Sequence, residues 1–470
     1  MSDICALLRN AARWVFLSAL VYAPWAYGCT TPGTIRGLNV ILAVALGLWA
    51  ISGFLSLISD RRPLTSGRTG VHSWVLLVCG CLLALGWWMT INARWIYDAD
   101  FFLFIPRATL LGLGPASVDY SISVAWMLRG TLLLGVMLMA AELARDPVWL
   151  VRLWWTIAIA GGSIALLGLV QKATGAPMIF WEKTETPVKS FFASYYAHGN
   201  AGAYLNIVLP ATIALALRSF LRKSAPWVRA VTTVLCLLVI VATISNTSRG
   251  GQAIAVLLGL VLPFCLRDLL VSRARGIEKK TMLLAAFVIG IAVVAIAGVS
   301  QLDQSFGRWH DLEHQLQSDS RWLATRAASR AVGDAGWFGF GPGTFRVVFP
   351  YYTNGLGQEV RGIWRFLHQD YLQTLMEWGW IGSACWALLF FGSMCIAART
   401  LRRTGEVPLS GRQRLFLTGS VLALAGIALH ALVDFPLQIA SLQLYVATYV
   451  GVCAASRSGK QTQVEVESVK

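Results

Sequence analysis

The chain has 470 residues, is 56% hydrophobic and only 13% charged, and contains 20 Trp. A soluble core of this size has no use for so much apolar surface, so the composition excludes an ordinary soluble globular protein and describes a polytopic membrane protein. The formal net charge of +16 would suggest nucleic acid in a soluble chain, but here Lys and Arg are spread over the loops between apolar runs, where membrane topology accounts for them and no nucleic-acid partner is expected. The nine cysteines sit mostly inside apolar runs, show no disulfide or zinc spacing, and read as small core residues.

In chain order, apolar runs of the length a bilayer demands fall near 12–28, 37–58, 71–91, 121–142, 149–171, 198–217, 228–247, 250–267 and 281–300. Three more follow near 370–397, 414–433 and 437–455, which predicts an all-α protein of about 12 membrane helices. The first run follows Arg9 and Arg13 like a signal peptide, yet Pro24 and Trp25 interrupt its end and no small-residue cleavage site follows, so a retained helix is expected. The chain thus divides into helices 1–9 with short loops (1–300), one long loop (301–369), helices 10–12 (370–456) and a tail (457–470).

Alternate short loops carry the basic residues, in the stretches 60–70 and 267–280 and at Arg145, Arg152, Arg218, Arg222, Lys223, Arg229, Arg399, Arg402, Arg412 and Arg414. Basic short loops stay cytoplasmic, which puts both termini inside and the long loop outside.

Chemistry-bearing residues collect on that outer side. His198 and Asn200 open one helix, and Arg249 lies in the short SNTSRGGQ turn, where Ser/Gly-rich amides beside an arginine suit an anion. In the long loop Arg321, Thr325, Ala328 and Val332 recur at helical spacing, and Arg326 and Arg330 are an i, i+4 pair, so a short helix ended by Gly333 or Gly336 is expected. The GFGPG run at 339–343 then makes a rigid turn, a weak candidate for a phosphate cradle. Arg308, Arg321, Arg326, Arg330, Arg346, Arg361 and Arg365 stand in an outside loop where topology does not ask for them, and as a set they suggest a diphosphate ligand.

The loop ends in RGIWRFLHQDYLQTLMEWGWIG (361–382). His368 is expected in the turn before a helix, with Gln369 beside it. Asp370, Gln373, Thr374 and Glu377 would form one polar stripe facing a wet cavity, and Gly379 and Gly382 would let a neighbouring helix come close. Asp98 and Asp100 have a DxD spacing but no third metal ligand, so a hydrated turn is the simpler reading. Arg129 lies inside the fourth span, where it would snorkel outward, pair with Asp119 or enter a cavity. His430 and Asp434, at i, i+4, read as a structural helix cap before catalysis.

Together TSRGG at 247–251, Arg321 with GFGPGTF at 339–345, His368-Gln369 with Gly379 and Gly382, and HALVDFPLQ at 430–438 resemble the O-antigen ligase/polymerase superfamily of bacterial membrane proteins. The resemblance runs from about 200 to 440. His198-Gly199-Asn200 departs from it, standing where many members have an Asn-rich motif. It implies a GT-C-like helical fold in the bacterial inner membrane and a glycosyltransferase of polysaccharide or lipopolysaccharide biosynthesis in the cell envelope. The donor would be a glycan on undecaprenyl diphosphate, and the acceptor lipid A–core, another glycan or a protein. Inversion without metal or cofactor is implied, with Arg249 and Arg321 on the diphosphate and His368 near the acceptor hydroxyl. Gln369, Arg326, Arg330, His198, Asn200, Asp370 and Glu377 are the expected substrate-binding residues around them. The rival from another class is a polytopic transporter of a small anionic solute. Twelve spans fit it, but no two-fold internal repeat supports it.

The charge pattern makes a direct prediction about topology. With native cysteines removed, Ser318→Cys reacts with an impermeant thiol reagent in cells with a permeable outer membrane, and Arg403→Cys only after lysis. The reverse labelling would turn the whole chain over.

Overall fold

The computed structural model describes residues 2–59, 71–98, 100–101, 103–110, 112, 114–186, 190–266, 320–354, 360, 364–402 and 409–455. The expected span at 281–300, loop residues 301–319 with Arg308, Arg361, the basic stretches 60–70 and 267–280, and the tail lie outside these residues. The elements are α1 (Ser2–Trp25), α2 (Pro32–Ser59), α3 (Ser73–Ile91), a hairpin of β1 (Trp95–Asp98) and β2 (Leu103–Pro106), α4 (Tyr120–Arg145), α5 (Pro147–Ala173), α6 (His198–Leu221), α7 (Pro226–Ser245) and α8 (Arg249–Cys265). Then follow α9 (Ser320–Ala335), α10 (Phe345–Thr353), α11 (Asp370–Arg402), α12 (Gly411–His430) and α13 (Ala440–Ala454). Among the described residues 9 helices are long and apolar enough to cross a membrane, and α8 and α13 are shorter apolar helices. The protein is an all-α polytopic membrane protein. Eleven of the expected spans fall on these helices, ten of them to within about five residues at each end, while α1 begins ten residues before the expected 12–28.

Local chemistry explains the helix starts. Asp146 caps α5 by accepting from Val148 and Trp149 N–H, with Pro147 at the first position, where no amide is needed. Ser410 and Gln413 form a reciprocal capping box at α12, and Ser248 caps α8 through Gly251 N–H. Exposed Val40, Val44, Ile51, Phe54 and Leu57 on α2, and Val256, Leu260 and Phe264 on α8, give these helices an apolar outer face that suits lipid.

Inside the bundle there is no water to drive helices together, so close approach and hydrogen bonds must do it. Gly451 of α13 packs against the carbonyl of Met137 on α4, where a side chain has no room. Trp154 of α5 stacks on Phe416 of α12 at 4.4 Å, over Gly419. Tyr445 donates to Leu20 O at 2.8 Å and Tyr449 to Ile207 O at 3.0 Å, which ties α13 to α1 and α6. At one end, Glu142 of α4 accepts from Arg9, Arg13 and Trp49, joining α1, α2 and α4.

The opposite end is built around an interlock between the Gly-rich turn and α11. Phe340 N–H donates to Met376 O at 2.8 Å and Gly341 N–H to Glu377 O at 2.9 Å, while α11 breaks at Gly379, with φ +60° and ψ −168°. A Cβ on Gly379 would stand 2.5 Å from Gly339 N. The expected helix–helix role of Gly379 is therefore corrected: the backbone of the turn, not a neighbouring helix, lies against it. Gly382 packs under Trp378 and reaches Leu85 of α3.

The interlock predicts that Gly379→Ala destabilises the protein by about 3 kcal/mol or more, since it adds both a forbidden backbone region and a clash. Gly47→Ala, in α2 with nothing within 4 Å of the added carbon, is the matched control and is neutral or slightly stabilising. Thermal unfolding of both variants in detergent measures the difference, and equal midpoints would remove the interlock from the account.

Candidate functional site

The turn before α11 and the turn after α12 meet. His368 has φ +62°, a left-handed conformation unusual for histidine, and its Nδ1 lies 2.9 Å from Asp434 Oδ1. Such local strain is a mark of functional positions. The imidazole is held on two further sides, edge-on to Phe435 at 4.5 Å and to Trp364 at 6.1 Å. His430 Nε2 stands 3.8 Å from Asp434 Oδ2, and Phe435 N–H donates to Oδ1 at 3.0 Å.

Two more elements close on this pair. Gly199, the second residue of α6, lies against Asp434 Oδ2 with no space for a side chain. The N-terminus of α8 sits on the same turn, since a Cβ on Gly250 would be 3.5 Å from Val433 and 3.9 Å from His430 Nε2, which brings Arg249 alongside. Helices α6 and α8 cross closely through Gly202 and Gly251. Arg321, the second residue of α9, contributes its charge at Asp434. Burial pushes the Asp434 carboxyl up, but the His368 hydrogen bond and the charges of His368, His430 and Arg321 outweigh it and hold the group below the usual aspartate range. A lowered folded-state value means that this carboxylate stabilises the fold above the ordinary aspartate range and loses that contribution as pH falls through the lowered value.

A carboxylate at Nδ1 fixes the neutral tautomer: the proton sits on Nδ1 and donates to Asp434, and Nε2 keeps a lone pair. The arrangement can therefore accept a proton at Nε2, with the Arg321 charge felt at Asp434 and Arg249 at the head of α8 on the same turn. Asp434 was readable in the sequence only as a cap for His430. Its partner His368 Nδ1 stands 66 residues away, outside the HALVDFPLQ run that carries His430 and Asp434, and was missed.

The polar stripe of α11 behaves differently from the expectation of a row facing a wet cavity. Asp370 is fully buried, accepting from Leu437 N–H and Gln438 Nε2, both at 2.8 Å. Gln373 accepts from Leu367 N–H and donates to Glu377. Glu377 accepts from Gly343 N–H at 3.1 Å and Phe345 N–H at 3.3 Å. These carboxylates fasten the Gly-rich turn and the turn after α12, because their oxygens satisfy buried amides that nothing else reaches. With Gly339 N–H donating to Ala335 O and those of Phe340 and Gly341 to the α11 backbone, the amides of the GFGPG turn are used up, so the turn is a clasp and not a phosphate cradle. Gln369 Oε1 caps α11 at Leu372 N–H.

Other expected residues are placed as follows. His198 donates its N–H to Ser190 O and accepts from Asn246 Nδ2 at its carbonyl. Asn200 is buried with Oδ1 unpaired among the described residues. Arg326 and Arg330 lie on the exposed face of α9, opposite the alanines that pack on α10 and α11. Asp98 Oδ1 accepts from the amides of Asp100 and Phe101, the expected turn. Arg129 does not pair with Asp119, which caps α4 instead; its guanidinium lies over Trp126 at 4.0 Å.

Fold and site together define a polytopic membrane protein with a histidine–carboxylate pair and arginines gathered where its helices begin. Residues 231–387 match the family model Wzy_C, described as O-antigen ligase. The match covers about a third of the chain and takes in Arg249, Arg321, the Gly-rich turn, His368 and the first half of α11. Over these residues the chain is similar to the O-antigen ligases, enzymes of the glycosyltransferase type that ligate or polymerise glycans. The transporter alternative is set aside on that ground. No curated protein matches the chain.

The tautomer argument predicts the behaviour of Asp434→Asn. An amide NH₂ at this position faces Nδ1 as a donor, so the imidazole must carry its proton on Nε2. Glycan transfer by the purified protein should fall ~10²- to 10⁴-fold in kcat, as for other histidines deprived of an orienting carboxylate. A variant with full kcat would remove Asp434 from the site.

Proposed function

We propose that the chain transfers a glycan from undecaprenyl diphosphate to an acceptor hydroxyl on lipid A–core or on a second lipid-linked glycan, at the periplasmic face of the bacterial inner membrane. Both termini are cytoplasmic in this reading, as the basic loops ask. The observation that carries it is the His368–Asp434 pair, with Arg321 within electrostatic reach and the Arg249 end of α8 on the same turn.

The chemistry follows from the parts. His368 Nε2 accepts the proton of the acceptor hydroxyl, and the freed oxygen attacks the anomeric carbon of the donor sugar. The bond from that carbon to the diphosphate oxygen breaks, and the diphosphate leaves with the electron pair. A single displacement inverts the anomeric centre. Asp434 stabilises the imidazolium formed, and the proton then passes to solvent. Negative charge grows on the leaving diphosphate, where Arg249 and Arg321 neutralise it in place of a metal ion. Arg326 and Arg330, exposed on α9, raise the local potential for an anionic donor. Asp370, Glu377 and Gln369 support the site from behind without touching substrate.

Three variants separate the roles. Arg321→Lys keeps a charge but loses the bidentate fork, so the chemical step should slow by ~10²-fold or more. His368→Ala leaves binding of labelled lipid donor nearly intact and removes turnover, and His368→Gln is equally inactive because an amide cannot accept the proton. Donor binding and product gel shifts on the same preparations check this. An active His368→Gln would leave the residue an orienting role only, and loss of donor binding in His368→Ala would undo the separation of donor and acceptor ends.

A further inference from the structure

Between α3 and α4, at the end of the bundle that holds the His368 turn, the β1–β2 hairpin pairs Trp95 with Pro106, Ile96 with Ile105, Tyr97 with Phe104 and Asp98 with Leu103. Side chains alternate across a strand, so a hairpin standing in water needs one polar face. This one has none. Ile96 and Ile105 share one face and Trp95, Tyr97 and Phe104 the other, with charge only at the tip, Asp98 and Asp100, and at the base, Arg94 and Arg107. Trp95, Tyr97, Leu103, Phe104 and Ile105 are exposed, and Phe101 near the tip is 73% exposed.

Hydrogen bonds fix the height of the hairpin. Ser117 N–H donates to Met89 O at 2.8 Å, Arg94 N–H to Ser117 O at 2.9 Å and Arg107 N–H to Arg94 O at 2.8 Å, so its base is stitched to the last turn of α3. That turn carries Trp88, 40% exposed. Helix α11 runs antiparallel to α3, with Gly382 against Leu85 and Gly392 against Trp74, which sets Trp380, 53% exposed, level with Trp88. Exposed tryptophans at one level on two apolar spans mark the boundary between acyl chains and headgroups. Leu77, Trp88 and Ile91 make the exposed stripe of α3, and β1 begins four residues past its end.

We propose that the hairpin lies in the interfacial layer of the bilayer leaflet on this side, as an anchor whose partner is the lipid surface itself. The hydrocarbon core is too deep for it. Apart from a bridge between Trp95 and Asp119, the outer edges of β1 and β2 carry backbone groups that only water or headgroups satisfy, and Asp98 and Asp100 would be stranded there. Open water is too shallow, because the apolar side chains of both faces would stand in it. The interface meets both demands, and Trp and Tyr favour it. Val118, next to the stitched Ser117, donates its N–H to Phe340 O at 2.8 Å, so the anchor holds the GFGPG turn, and α9 with it, at a set height over the bilayer. This anchoring is independent of the transfer chemistry.

Depth-dependent quenching tests it on the full-length chain with native cysteines removed. Tyr97→Cys and Ile105→Cys, one on each face, are labelled separately with the environment-sensitive fluorophore NBD in phosphatidylcholine nanodiscs. The lipid carries a nitroxide either near the headgroup or at the end of the acyl chain. At least one probe should emit blue-shifted relative to Glu185→Cys, an exposed residue between α5 and α6, and lose severalfold more emission to the shallow nitroxide than to the deep one. Phe101→Cys supplies a further probe if either variant does not fold. Emission like that of Glu185→Cys with no quenching would leave the hairpin in water. A blue shift without quenching would put a protein surface over it, and stronger quenching by the deep nitroxide would sink it into the core. Each of these three results overturns the proposal.

Discussion

The Glu377 carboxylate holds together the part of the molecule that makes a site possible. It accepts from the amides of Gly343 and Phe345 and from Gln373, and its own carbonyl accepts from Gly341. Without it, the GFGPG turn would bury amides that have no other partner, at a cost that membrane surroundings increase. Trp126 completes the clasp: its ring fits against Gly343 on one side and carries Arg129 on the other, and Arg129 balances Glu377. Ser123 Oγ donates to Pro342 O and Val118 N–H to Phe340 O, so α4 and the residues just before it also hold the turn. The turn joins α9 to α10, and fixing it fixes the direction in which α9 presents Arg321. A charge that looks like an active-site acid thus does its work through the backbone.

The helical plan was largely legible because a bilayer imposes length and apolarity on every span, and those two quantities survive in a bare sequence. Helix α11 was placed to the residue at Asp370, with His368 in the turn before it, since polar and apolar stripes change phase there. The α9 helix was equally clear from Arg321, Thr325, Ala328 and Val332 at helical spacing, and it ends just before Gly336, at φ +60°. What periodicity does not encode is the partner of a polar group. Asp370, Gln373 and Glu377 share one stripe whether they face water or buried amides, and only the fold decides. The same limit hid Asp434. Its spacing to His430 is local and visible, while its shorter contact to His368 crosses 66 residues.

The glycines show most clearly what the site requires of the sequence. The run His198-Gly199-Asn200 draws attention to its imidazole and its amide, yet the residue that packs on Asp434 is the glycine between them. His198 contributes its backbone to Ser190 and Asn246 and sets its Nδ1 3.3 Å from Ser190 O, and Asn200 is buried within the helix. The residue in contact is Gly199, whose missing side chain admits Asp434 Oδ2 to the start of α6. With Oδ2 seated there and near His430, Oδ1 is the oxygen turned to His368. The tautomer of the histidine, and so its capacity to accept a proton, depends on an absent Cβ one helix away. A departure from an Asn-rich pattern at this position is therefore compatible with the chemistry, provided the middle residue stays small.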